Sequence, residues 1–207
     1  MIKRKKSDAP AEEVPLDSKL SRDEINALHI RAYQGPVEVI RSHKHMLSTV
    51  RKLRKERLLG FDTETRRAFK KGISYPTAVV QLAAHDCVYI FQLQLLRDLG
   101  ELFSILASGK IIKAGVSIAD DMKALRTLSD FEPAGLVDIG DCARTCGMQH
   151  HGLRGLAALL LKFRITKSGQ RYNWALPTLR QPAIRYAATD AWVGRKLYLV
   201  MKKRGCI

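Results

Sequence analysis

The sequence predicts an α/β sandwich built on a mixed sheet, with antiparallel strands followed by parallel ones and helices on its flanks. Three observations carry that prediction. Two short apolar runs, residues 77–84 and 87–93, are separated only by His85 and Asp86, which makes them an antiparallel hairpin. Beyond them, single apolar runs alternate with segments of helical spacing, the order that layers helices over strands. The last predicted element is a long helix from about Pro182, a residue allowed in a first turn, to Lys203.

The remaining elements follow in chain order. Residues 1–25 are polar and read as a mobile tail leading into an arm, and residues 26–207 read as one folded domain. The run V-E-V-I (37–40) is a short strand. Residues 42–56 place Met46, Val50 and Leu53 at helical spacing between basic residues. L-L-G-F-D-T-E-T (58–65) is a strand that runs from apolar into polar residues. Residues 95–109 are predicted as a helix closed by Gly109. I-I-K-A-G-V (111–116) is a strand, and 117–128 is a helix with Ser117 as its N-cap. V-D-I (137–139) begins another element, and 152–163 is a further helix, short enough for a soluble core.

A chain of 207 residues can bury a full core, so one domain is expected. Its 46% apolar and 27% charged residues are ordinary for a globular protein. Its charge is not ordinary. Lys and Arg number 36 against 20 Asp and Glu, a net +16. In the tail, Lys3, Arg4, Lys5, Lys6, Lys19 and Arg22 balance Asp8, Glu12, Glu13, Asp17, Asp23 and Glu24, so the excess sits on the folded part. Such a surface attracts polyanions, nucleic acid first. A membrane is not expected as partner: no segment approaches the ~18 apolar residues of a span, and no basic amphipathic helix has a strong apolar face. The start M-I-K-R-K-K runs into polar S-D-A-P-A-E-E-V-P, which is not a secretory signal. The four cysteines have no disulfide-framework spacing, and a reducing cytoplasm is the expected location, with the nucleoid as an option within it. Cys142, Cys146 and His150 could share one helical side, a temptation toward zinc. Their spacing is not that of a zinc knuckle, and Gly147 marks the stretch as a helix end.

Chemistry gathers around acids. On a strand, residues two apart point to one face, so Asp62 and Glu64 project together near the strand's end. Close carboxylates repel and raise one another's pKa, and a divalent cation removes that cost. A lone pair of acids at a strand end is also common in solvent, so partners decide its meaning. The last helix supplies them. Tyr186 and Asp190 are four apart on one helical face, among the small Ala183, Ala187, Ala188 and Ala191 that allow close packing on a sheet. A further acid comes from Asp120 or Asp121, both in the first turn of the 117–128 helix, where the helix dipole alone would favour them.

With these residues in place, three stretches resemble the motifs of the DEDDy 3′→5′ exonucleases. They are F-D-T-E-T (61–65), G-V-S-I-A-D-D-M-K-A-L (115–125) and Y-A-A-T-D-A (186–191). That family belongs to the DnaQ-like superfamily with a ribonuclease H-like fold. The chain is most similar there to the Werner-syndrome-type exonuclease domain and its small bacterial counterparts, with ribonuclease D one step further away. The resemblance runs from about residue 56 to 200, with all three motifs in order. It implies that Asp62 and Glu64 form the first motif. It selects Asp121 over Asp120 in the second, because Leu125 follows at the family's distance. It places Tyr186 and Asp190 in the third. Asn173-Trp174 resembles a pair that precedes the third motif. Two positions depart from the pattern: Ala183, where relatives often carry Gln, and Tyr172, where they often carry Ser.

The resemblance also implies a mechanism. Two divalent ions, Mg²⁺ or Mn²⁺, would clamp a scissile phosphate, bound by Asp62, Glu64, Asp121 and Asp190. Tyr186 would orient the attacking water, and nucleoside 5′-monophosphates would leave one at a time from a free 3′ end. Thr63, Arg66, Arg67, Lys70 and Lys71, with Lys167, Arg171 and Trp174, are the expected nucleic-acid contacts. Arg164 lies in the same second loop. Phe69, Tyr75 and Trp174 are the candidates to stack on terminal bases. DNA is the favoured polymer, since the chain lacks room for the helical binding domains that follow the nuclease in ribonuclease D. RNA 3′-end trimming is the alternative within the class, and a non-catalytic nucleic-acid-binding module is the alternative outside it. Helicase or repair partners on separate chains are not identified by the sequence.

Overall fold

The computed structural model describes residues 15–66, 68, 70, 72–167, 169 and 172–207. Ser21 opens the first helix, α1 (Arg22–Ala27). Its hydroxyl accepts from Glu24 N while the Glu24 carboxylate accepts from Ser21 N, a reciprocal capping box. Ahead of it, Leu16 and Leu20 pack against the core, and Leu20 N donates to His150 Nε2 at 3.0 Å. The described part of the stretch read from sequence as tail is thus laid on the domain from Leu16 onward.

Strand β1 (Val37–Ile40) leads to α2 (His43–Leu53), capped by the Ser42 hydroxyl, which accepts from His45 N. Met46, Val50 and Leu53 form its buried stripe together with Thr49. Strands β2 (Leu58–Thr65), β3 (Thr77–Ala83) and β4 (Val88–Gln92) follow, then α3 (Gly100–Leu106) and β5 (Ile112–Gly115). The chain continues through α4 (Ile118–Arg126), β6 (Leu136–Asp138), α5 (Ile139–Thr145), α6 (Leu153–Leu156) and α7 (Gln181–Lys203).

The six strands form one sheet in the order β1-β4-β3-β2-β5-β6. β2–β3 and β3–β4 are antiparallel, as the hairpin spacing predicts, and β2–β5 and β5–β6 are parallel. β1 pairs parallel with β4, so β3 alone runs against the other strands. The result is a mixed sheet of ribonuclease H-like architecture, flanked by helices. α2, α3 and α4 cover one face over Leu59, Phe61, Val80 and Leu82. α7 covers the other, its Ala183, Ala187, Ala188 and Ala191 lying on Val79, Ala83, Val88 and Ile90. Contact there is backbone to backbone: a Cβ on Gly60 would stand 1.9 Å from Ala191 O. Glycine in β2 and alanine in α7 are what let the helix lie this close.

Three local expectations change. The helix predicted over 95–109 is shorter: a 3₁₀ turn at Leu93–Leu95 precedes it, and the Asp98 carboxylate accepts from Gly100 N at 2.8 Å and delays its start. Its end falls at Leu106, capped by Ala107 in right-handed conformation, so Gly109 does not close it. The 152–163 segment is one α-turn that widens into a π-helix, Ala157–Leu161, and stops at Lys162 with φ 61°. Ser117 takes the N-cap position of α4 but in left-handed conformation, φ 60°, and makes no capping bond. Asp138, at the end of β6, caps in its place: Oδ2 accepts from Ile118 N, while Oδ1 accepts from Gly140 N and Asp141 N of α5. An ionised acceptor serving two helix N-termini outcompetes a neutral hydroxyl for the same orphan N–H groups.

Candidate metal centre

β2 is buried from Leu58 to Phe61 and emerges half-buried over Asp62, Thr63 and Glu64. Alternation along the strand sends Asp62 and Glu64 to the face covered by α7 and Thr63 to the opposite one. α7 delivers Asp190, 6% exposed, one turn beyond the half-buried Tyr186. One carboxylate oxygen each from Asp62, Glu64 and Asp190 lie within 4.8 Å of one another. Among the described residues this is the one group of three or more His, Cys, Asp or Glu side chains gathered so closely. The Tyr186 hydroxyl stands close enough to the Asp190 carboxylate to act on its charge. Oδ1 of that carboxylate is buried with no hydrogen-bond partner among the described residues.

The electrostatics follow from this crowding. Burial, then the charges of Asp190, Glu64 and Asp121, push the Asp62 carboxyl well above its ordinary range. Burial and the neighbouring acids push Glu64 up to about 8. Burial raises Asp190 to about 7, with the Tyr186 hydroxyl opposing it. The Tyr186 hydroxyl is raised too, by burial first and by Asp190 second, so it stays a donor. Three acids with no basic partner among the described residues and one orphaned oxygen hold protons in place of charge at neutral pH, and form a fitting donor set for a hard divalent cation that would displace those protons.

Asp121 reaches this centre from the other side of the sheet. It stands half-buried in the first turn of α4, and its Oδ1 accepts from Thr63 Oγ1 at 2.5 Å. Burial raises its pKa while the Thr63 hydroxyl lowers it. It lies outside the tight group of three but close enough for its charge to act on Asp62 and Glu64. Asp120 beside it is exposed.

The predicted nucleic-acid contacts divide. Arg66 is exposed at the end of β2 with its guanidinium 4.6 Å from the Tyr75 ring centroid, and Lys70 and Lys167 are exposed. Arg67, Lys71 and Arg171, like Phe69, lie outside the described residues. Thr63 does not offer its side chain to a substrate, because the hydroxyl is committed to Asp121. Trp174 cannot stack on a base: it is 1% exposed and packs edge-on to Tyr172 and against Tyr186. A large ring beside an alanine-faced helix is better buried than wetted, and that packing wins. Arg164 holds the N-terminal arm, its Nε donating to Leu28 O and its backbone bridging to Arg31. Cys142 on α5 and Cys146 at its C-cap are free thiols packed against the core, Gly147 follows the cap with φ 75°, and the His150 ring accepts from Leu20 N.

Sequence reasoning missed two supports of the centre. Gln92, at the end of β4, donates from Nε2 to Leu176 O at 2.8 Å and pins the loop that sets Trp174 and Tyr172 around Tyr186. A polar residue closing the apolar run V-Y-I-F-Q was the available signal. Gly169 lies flat on the Tyr186 ring, where a Cβ would stand 2.7 Å from the hydroxyl. Nothing local in the sequence marks that contact.

Fold and acidic centre together set two carboxylates on one strand and a third on the last helix, the donor set of a hard-cation site. The profile of the 3′-5′ exonuclease family matches residues 37–205, and the chain belongs to that family. It is 25% identical over 178 residues to ribonuclease D of Haemophilus influenzae, covering 84% of this chain and 44% of that protein. It is 30% identical over 150 residues to the mouse bifunctional 3′-5′ exonuclease/ATP-dependent helicase WRN, covering 68% of this chain and 10% of that one. The chain therefore spans less than half the length of these relatives. The EXO domain of Nibbler from Aedes aegypti has the same fold, with TM-score 0.74 at 20% identity over 86% of this chain and 92% of that one.

Proposed function

We propose that the chain is a divalent-metal-dependent 3′→5′ exonuclease of the DEDDy type, releasing nucleoside 5′-monophosphates from nucleic acid with a free 3′ end. One observation carries this reading: three carboxylates converge within 4.8 Å while Asp190 Oδ1 is buried and unpartnered. Asp62, Glu64 and Asp190 would hold divalent ions, two in number, with Asp121 contributing from the α4 side. When bound, Mg²⁺ or Mn²⁺ supplies Lewis acidity for the phosphodiester and lowers the pKa of an attacking water. Tyr186, a donor throughout the neutral range, orients that water from one helical turn away. Arg66, Lys70 and Lys167 supply cations for the phosphate backbone, whose attraction to a +16 chain is long-ranged.

DNA is the first polymer of this proposal. Likeness to a ribonuclease D supports RNA as the second reading. The test is digestion of matched 5′-labelled DNA and RNA, single-stranded and with recessed 3′ ends, in Mg²⁺, Mn²⁺ or EDTA. Wild type should give a ladder shortening from the 3′ end that vanishes in EDTA and with Asp62→Ala. The polymer that ladders faster is the substrate. Tight binding with no ladder on any substrate would replace the enzyme by a binding module.

A further inference from the structure

Gln81 is a fully buried polar side chain that the proposed chemistry leaves unused. It lies at the middle of β3, 0% exposed, between Val79 and Ala83, and both of those residues pack under the α7 alanines. Alternation therefore puts Gln81 on the same α7-facing side. In register it stands directly opposite Asp62 on one side and Ile90 on the other. Neither its Nε2 nor its Oε1 has a hydrogen-bond partner among the described residues. Leaving a buried amide unpaired costs about 1–3 kcal/mol per group, and an apolar residue of the same size would fit this layer without that cost.

The partner within reach is the acidic centre. Cross-strand neighbours on one face hold their Cβ atoms about 4.5–5.5 Å apart, a gap that a glutamine amide spans to an aspartate carboxylate. Asp62 already accepts from Thr63 N through Oδ1 at 2.9 Å. Asp62 Oδ2 accepts no hydrogen bond among the described residues, which leaves that oxygen for an ion and for the amide across the strand pair. We infer that Gln81 is a positioning residue, whose amide orients the Asp62 carboxylate for the divalent ion. This rests on the metal-centre reading above. A neutral amide suits that role, because it can turn its unpaired N–H groups to a crowded carboxylate without adding a further negative charge to the cluster. Such supports of a ligand typically change metal affinity about 10- to 100-fold when removed.

The test uses the full chain, stripped of metal, as wild type, Asp62→Asn, Gln81→Leu and Gln81→Met. Mn²⁺ binding is followed by calorimetry, thermal unfolding without metal is recorded, and turnover is measured across a Mn²⁺ series. Both Gln81 variants should keep or raise the melting temperature, weaken Mn²⁺ binding at least about tenfold, and recover much of the lost turnover at high Mn²⁺. Unchanged Mn²⁺ binding in Gln81→Leu and Gln81→Met, with Asp62→Asn impaired, would overturn the role of Gln81 and leave the metal centre standing. Loss of the fold in both variants would make the amide structural and overturn it as well. A wild type that binds no Mn²⁺ would overturn the metal centre itself, and the role of Gln81 with it.

Discussion

Thr63 and Asp121, 58 residues apart in sequence, share a hydrogen bond of 2.5 Å from hydroxyl to carboxylate. The bond ties the polar end of β2 to the first turn of α4 and aims one acid at a centre built on the other face of the sheet. Replacing Thr63 with Val keeps the β-branched shape and removes the donor. Turnover should fall roughly ten- to a hundredfold, the worth of a hydrogen bond to a charged group. Thr63→Ser should keep most of it. Full activity in Thr63→Val, assayed with circular dichroism to verify the fold, would mean that Asp121 is held by other means.

The two acids of the α4 first turn separate cleanly. Asp121→Ala should abolish turnover, while Asp120→Ala, an exposed substitution, should leave most of it. Single-turnover assays at saturating metal make the comparison. The reverse result would mean that the second motif is read one residue out of place.

Asp190→Asn should lose activity and gain stability. It removes a buried charge that has neighbours of the same sign and no basic partner among the described residues. The metal-free variant should melt higher than wild type, at about 2–4 °C per kcal/mol for a domain of this size. Added Mg²⁺ should raise the wild-type melting temperature and leave the variant's nearly unmoved. Calorimetry with and without EDTA gives all four values.

Stability without metal should fall as pH rises. Glu64 moves from an ordinary value of 4.5 to about 8 on folding, and Asp190 from 3.8 to about 7. Between those limits the folded state binds more protons than the unfolded one, so the slope of unfolding free energy with pH is negative. The protonated cluster is stable at pH 5, and that contribution is lost by about pH 8. Metal affinity should change in the opposite sense, strengthening over the same interval as the protons leave. Melting curves from pH 5 to 8, in EDTA and in Mg²⁺, should diverge accordingly; parallel curves would contradict the clustering of these charges.

Tyr186→Phe should slow turnover about a hundredfold while metal binding persists, because the ring stays packed by Trp174 and Tyr172 and only the hydroxyl is lost. Equal turnover would remove its proposed part in placing the water. Mn²⁺ calorimetry beside the kinetic assay separates the two functions.

Much of this site was legible in the sequence. Period-two spacing put Asp62 and Glu64 on one strand face, and period-3.6 spacing put Tyr186 and Asp190 on one helix face; the structure has both. The alanines around Asp190 announced a close helix–sheet contact, and Gly60 against Ala191 is that contact. The hairpin and the helix over 42–56 followed from equally local rules. The failures lie where a distant group competes for a local one. Ser117 was a sound N-cap until Asp138 arrived from β6 with a charged acceptor. Trp174 was a sound stacking residue until the loop fold turned it inward behind Tyr186, where Gln92 holds its loop.

The sequence by itself determined which residues can bear the chemistry and in which order along the chain they appear. Alternation, helical period and charge are properties of neighbours a few positions apart, and a chain cannot hide them. Tertiary structure alone decided that three carboxylates meet on the α7 side while Asp121 arrives from the α4 side through Thr63. It also decided that Gln81 is sealed beside Asp62 with its amide unpaired among the described residues. Those relations join positions far apart in sequence, and they exist only once burial of apolar surface has brought the helices down on the two faces of the sheet.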